Sequence, residues 1–68
     1  MRYTVILEEG EDGYIVAHVP ALKGCHTQGK TREEALKNAK EVIEAYIASL
    51  RKHNDPIPED VSAVVIDA

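Results

Sequence analysis

Gly24-Cys25-His26-Thr27-Gln28-Gly29-Lys30-Thr31-Arg32-Glu33-Glu34-Ala35 is the stretch on which the fold turns. Thr31 and Glu34 have the S/T-x-x-E spacing of a capping box, in which each side chain satisfies a backbone N–H at a helix start. Gly29, two residues before the cap, reads as the source of backbone freedom for the turn. Cys25–Gln28 reads as a short third strand, reached through the connection Ala21-Leu22-Lys23-Gly24. The segment marks where a sheet ends and its covering helix begins.

Downstream, the helix is expected from Thr31 to about His53. Ala35, Leu36, Ala39, Val42, Ile43, Tyr46, Ile47 and Leu50 fall within a stripe about 140° wide at the helical period. Glu33, Lys37, Lys40, Glu41, Glu44 and Arg51 take the opposite side, and three i,i+4 pairs among them add a few tenths of a kcal/mol each. Asn54-Asp55-Pro56-Ile57-Pro58 stops the helix, because residues before proline avoid the helical region. Val61–Ile66 then reads as a fourth strand.

Upstream, residues 2–9 and 14–19 read as two strands, joined at the turn cluster Gly10-Glu11-Asp12-Gly13 into a hairpin and ended by Pro20. A register that aligns Tyr3, Val5 and Leu7 with Ile15, Ala17 and Val19 makes one face almost wholly apolar. The other face then carries Thr4, Ile6, Glu8, Tyr14, Val16 and His18. The expected fold is α+β, β-β-β-α-β, a single domain over residues 1–68. One helix covers one side of such a sheet, so Ile6, Tyr14 and Val16 are left as an apolar patch suited to an oligomer interface.

At 68 residues the chain is near the lower size limit for a self-supporting core, and with three tyrosines and no Trp or Phe that core is thin. Both points favour a homo-oligomer, dimer or tetramer. The net charge is −4, from 12 acidic and 8 basic side chains. Without a dense Lys/Arg cluster, direct nucleic-acid binding is disfavoured, and a basic protein partner is the better match. A lone cysteine, no signal-peptide pattern and no long apolar run point to a cytoplasmic chain without a membrane segment.

Few residues offer chemistry. Cys25 and His26 are adjacent, but neighbours on a strand point to opposite faces, so Cys25 is expected to pack and not to catalyse. His18, His26 and His53 lack a metal-ligand spacing in sequence, and neither metal nor cofactor is expected. Glu8, Glu9, Glu11 and Asp12 cluster at the hairpin without a converging hydroxyl or base. They are candidate contacts for basic residues of a partner.

Tyr3-x-Val5-Ile6-x-Glu8, Asp12-Gly13-Tyr14-x-Val16 and the run from Pro20 to Ala35, continued by Leu36-Lys37-Asn38-Ala39 and Pro56-Ile57-Pro58, together resemble the N-terminal domain of HicB-type antitoxins. The resemblance covers positions 3–58. It implies a partial ribonuclease-H-like fold with strand order 3-2-1-4 and the last strand parallel to the first, in keeping with a right-handed crossover through the helix. It implies a partner as well: HicA, a small basic RNA-cleaving toxin, blocked by occlusion. Fuller members add a C-terminal DNA-binding domain, for which the residues after Pro58 leave no room. Gly24, Gly29, Thr31, Glu34, Ala35 and Leu36 match the pattern as architectural positions. The expected function is that of a non-catalytic antitoxin-like module. The alternatives are an orphan oligomeric domain holding a small ligand between subunits and, third, a residual nuclease.

Overall fold

A computed structural model describes residues 2–62 and 66–67. Three strands, β1 (Ile6–Glu9), β2 (Ile15–His18) and β3 (His26–Gly29), precede one helix, α1 (Arg32–Lys52). The strands form an antiparallel sheet in the order β1-β2-β3. This replaces the four-stranded 3-2-1-4 arrangement expected above: its first three strands have the expected neighbours, and residues 63–65 of the expected fourth strand lie outside the described residues. Helix α1 packs chiefly over β3 and β2.

The register places Leu7 opposite Ala17 and Glu8 opposite Val16. Leu7, Ala17, Ile15 and, beyond the ladder, Val5 and Val19 therefore face the helix, where they join the two core clusters. This is the segregation the apolar pattern called for. The first strand is shorter than expected for a specific reason. Continuing the register would place Pro20 opposite Thr4, and proline has no N–H to donate. The Thr4 amide bonds instead to Asp60 Oδ1 at 2.9 Å, and the Thr4 hydroxyl to Asp60 Oδ2 at 2.7 Å. Tyr3 donates its hydroxyl to the Pro58 carbonyl beside this clamp. The segment after α1 is thus tied to the start of the chain.

Thr31 is the N-cap of α1, its Oγ1 accepting from the Glu34 amide at 3.1 Å. Glu34 Oε1 reaches back to the Lys30 amide at 3.1 Å, one residue earlier than the usual reciprocal partner. The C-terminus closes with Asn54 N bonded to Arg51 O and Asp55 N to Leu50 O, with Asn54 at φ 56°. This is the paired bonding of a Schellman motif, with Asn in the left-handed position that Gly more often fills.

Gly29 works differently from expectation. The glycines with positive φ are Gly13 and Gly24, not Gly29. A Cβ on Gly29 would lie 2.5 Å from Ala35 N and 2.8 Å from Glu34 C. Glycine is needed here because strand and helix backbones nearly touch. Ala17, Ala35 and Ala39, all buried, continue the same close seam. The larger side chains Val19, Leu22, Cys25 and Ile47 fill the second cluster. Leu22 lies in the connection between β2 and β3, yet among the described residues it is the largest fully buried side chain, 1% exposed. Tight bonds from Leu22 N to Val19 O and from Cys25 N to Leu22 O fold it inward.

Leu36 differs too. It belongs to the apolar stripe but is 45% exposed. Ile47, near the same edge of the stripe, is covered by the second cluster, whereas Leu36 opens toward the N-terminal segment.

Two outcomes follow for stability. Gly29→Ala should cost about 1–3 kcal/mol in denaturant unfolding, the usual range for overpacking against atoms that cannot move aside, while Gly10→Ala should cost less because its nearest atoms, Tyr14 O at 3.1 Å and Asp12 Oδ1 at 3.3 Å, need to give only a few tenths of an ångström. The Thr4 hydrogen bonds hold the Asp60 carboxyl below its ordinary range. A lowered folded-state value gives stability that is present above the unfolded value, about 3.9, and is lost as pH falls through the folded one. Asp60→Ala should therefore be less stable than the parent at neutral pH, with the gap narrowing below about pH 4.

Candidate functional site

The acidic residues singled out in the sequence are all exposed, but they do not form one patch. Glu8 pairs across from Val16 and Glu9 across from Ile15, so the two carboxylates point to opposite faces of the sheet. Glu11 and Asp12 sit in the turn. Asp12 Oδ1 accepts from Tyr14 N at 3.3 Å, and Gly10 N donates to Tyr14 O at 2.7 Å. Gly13, at φ 83°, completes the reversal in a conformation that side chains resist. One carboxylate of the four therefore helps to build the turn, while Glu8 and Glu9 on β1 and Glu11 in the turn remain exposed.

Ile6, Tyr14 and Val16 do share a face. Their even-numbered positions alternate away from Leu7, Ile15 and Ala17, which pack under α1. Ile6 is 39% exposed, and Tyr14 and Val16 are half-buried. The third strand adds residues that the sequence reading left off this face. His26 stands opposite His18, and Gln28 opposite Val16. Only the pairing register could show this, because His18 and His26 are separated by a loop in the chain. The open face is consequently mixed: Val16 lies between Glu8 and Gln28, Ile6 stands on the edge strand beside His18 and His26, and Tyr14 lies at the hairpin end.

Cys25 is 4% exposed within the second core cluster, while His26 is exposed. The two side chains lie on opposite sides, as strand geometry requires. Burial pushes the Cys25 thiol above its ordinary range, which disfavours the reactive thiolate. Cys25 is a packing residue.

The helix flank supplies a feature absent from the sequence reading. A groove of about 740 Å³ runs between the N-terminal segment and α1, lined by Arg2, Tyr3, Val5, Leu36, Ile43 and Arg51 among others. Its lining is largely apolar, and Arg2, Lys40 and Arg51 border it together with the carboxylate of Glu44. Among the described residues no helix is long and apolar enough to cross a membrane.

These elements define a two-layer α+β domain with one covered sheet face, an open mixed face and an acidic hairpin tip. Residues 3–67 match the family model described as the HicB-like antitoxin of bacterial toxin–antitoxin systems, and the chain belongs to that family. It is similar to a UPF0150 protein of Thermoplasma acidophilum, at 65% identity over 60 residues, covering 88% of this chain and 87% of the relative. A UPF0150 protein of Synechocystis is 52% identical over 59 residues, covering 87% and 75% of the two chains. In three dimensions the chain superposes on the crystal structure of the N-terminal domain of the Burkholderia pseudomallei antitoxin HicB with a TM-score of 0.80. That match covers 93% of this chain and 74% of the other at 22% identity, and it establishes the shared fold.

Proposed function

We propose that this domain is a non-catalytic antitoxin that neutralises a small basic HicA-type RNA-cleaving toxin in the cytoplasm by occluding it. Membership of the HicB-like antitoxin family is the observation that carries the reading. The charge balance supports it, because a chain of net charge −4 with exposed carboxylates around its hairpin attracts a basic partner over distance.

In this reading Glu8, Glu9, Glu11 and Asp12 speed encounter with the toxin, and Ile6, Tyr14 and Val16 serve a homo-oligomer, dimer or tetramer. The division follows from what each surface can supply. Exposed charges act mainly on association rate and specificity, whereas desolvated apolar area holds a complex together. A face that mixes exposed apolar side chains with polar ones is as apolar as such interfaces commonly are.

The test is co-expression with a small basic HicA-type protein from a neighbouring gene. A stable complex and restored growth are expected, whereas no binding with full toxicity retained would sink the reading. Neutralising Glu8, Glu9 and Glu11 together to Gln should slow association by about tenfold or more at low salt and flatten its salt dependence, with a smaller change in dissociation rate.

A further inference from the structure

His18 and His26 stand directly opposite each other on β2 and β3. The next pair along, Val19 and Cys25, is joined by a hydrogen bond from Val19 N to Cys25 O at 3.0 Å. Bonded and non-bonded pairs alternate in an antiparallel ladder, so the histidines form a non-hydrogen-bonded pair. In such pairs the Cα atoms are about 4.5 Å apart and the side chains are at their closest. Both residues lie on the face that α1 leaves open, His26 exposed and His18 half-buried.

The His26 ring is also oriented. Its Nδ1 lies 3.1 Å from the Gly24 carbonyl oxygen. A carbonyl only accepts, so the contact assigns the proton to Nδ1 and leaves the Nε2 lone pair available. Metal-bound imidazoles are commonly held this way, with the other ring N–H donated to a backbone carbonyl. Gly24 is at φ 74°, a conformation open to glycine at little cost, so the turn that presents this carbonyl is itself built in.

We propose that His18 and His26 form a two-imidazole site for a divalent first-row transition metal on the open sheet face. Tetrahedral Zn–N bonds of about 2.0–2.1 Å require donor nitrogens roughly 3.4 Å apart. Rings rooted on directly opposed strand positions can reach that separation. Imidazole nitrogen selects Zn²⁺, Ni²⁺ or Cu²⁺, whereas Mg²⁺ and Ca²⁺ demand oxygen ligands. Among the described residues no group of three or more His, Cys, Asp or Glu converges. The chain therefore supplies two donors, and water completes the shell. His53 offers an internal control. Its Nδ1 lies 2.8 Å from Ser49 O, but it caps α1 outside the sheet.

The experiment uses the untagged protein, titrated with Ni²⁺ by calorimetry and followed by NMR of the histidine ring protons. Saturable binding at one ion per chain is expected, with paramagnetic broadening of the His18 and His26 signals before His53. Affinity should follow Cu²⁺ above Ni²⁺ above Co²⁺. His18→Gln or His26→Gln should each weaken binding by at least about tenfold, since one imidazole alone is a poor chelate, while His53→Gln should leave it unchanged. His26 is exposed, so its variant keeps the test valid even if His18→Gln perturbs the fold. Absence of saturable binding, or binding that survives His26→Gln unchanged, would overturn the assignment.

Discussion

The approach of the β3 backbone to the first turn of α1 at Gly29 is the contact on which the rest of the structure depends. A single added carbon at Gly29 would collide with the backbone of Glu34 and Ala35, atoms that cannot rotate away. Ala17, Ala35 and Ala39 hold the same narrow spacing between the layers. The larger Val19, Leu22 and Ile47 fill the other part of the interior. Small residues near the helix start and larger ones toward its end fix both the separation and the tilt of α1. The capping bonds at Thr31 and Glu34 begin the helix where this contact needs it.

Committing one sheet face to α1 sets what the domain can offer a partner. The β3 edge is partly engaged by the helix, since Asn38 Nδ2 donates to the Gln28 carbonyl at 2.8 Å. The open face and the hairpin tip remain available, and they differ in kind: one presents Ile6, Tyr14 and Val16 among polar side chains, the other presents carboxylates. In the antitoxin reading these are two separate tools, one for adhesion and one for attraction. The paired histidines on the same open face add a donor set that belongs to neither.

Much of this was legible in the chain. The helix, its N-cap at Thr31 and the helix-facing set Val5, Leu7, Ile15, Ala17 and Val19 follow from periodicity and from the capping spacing, which are local signals. The opposite orientation of Cys25 and His26 follows from strand alternation. What escaped depends on contacts between distant segments. Leu22 is buried because three backbone bonds fold its loop inward, and Leu36 is exposed because the groove beside it is uncovered. The role of Gly29 was misread for the same reason: a glycine before a helix suggests a turn, and only the packed structure shows a steric limit. The facing of His18 with His26 needs the β2–β3 register, which no spacing in the sequence encodes.

The central claim is that the sheet face opposite α1, with the hairpin beside it, is the surface that meets other molecules. Amide chemical-shift mapping of the labelled protein, titrated with a catalytically inactive form of the basic toxin that the antitoxin reading proposes, tests it most directly. The largest changes are expected on Glu8, Glu9 and the turn at residues 10–13, with Ile6, Tyr14 and Val16 engaged between copies of the chain. Changes concentrated instead on the outward side of α1, at Lys37, Glu41 and Glu44, would contradict it.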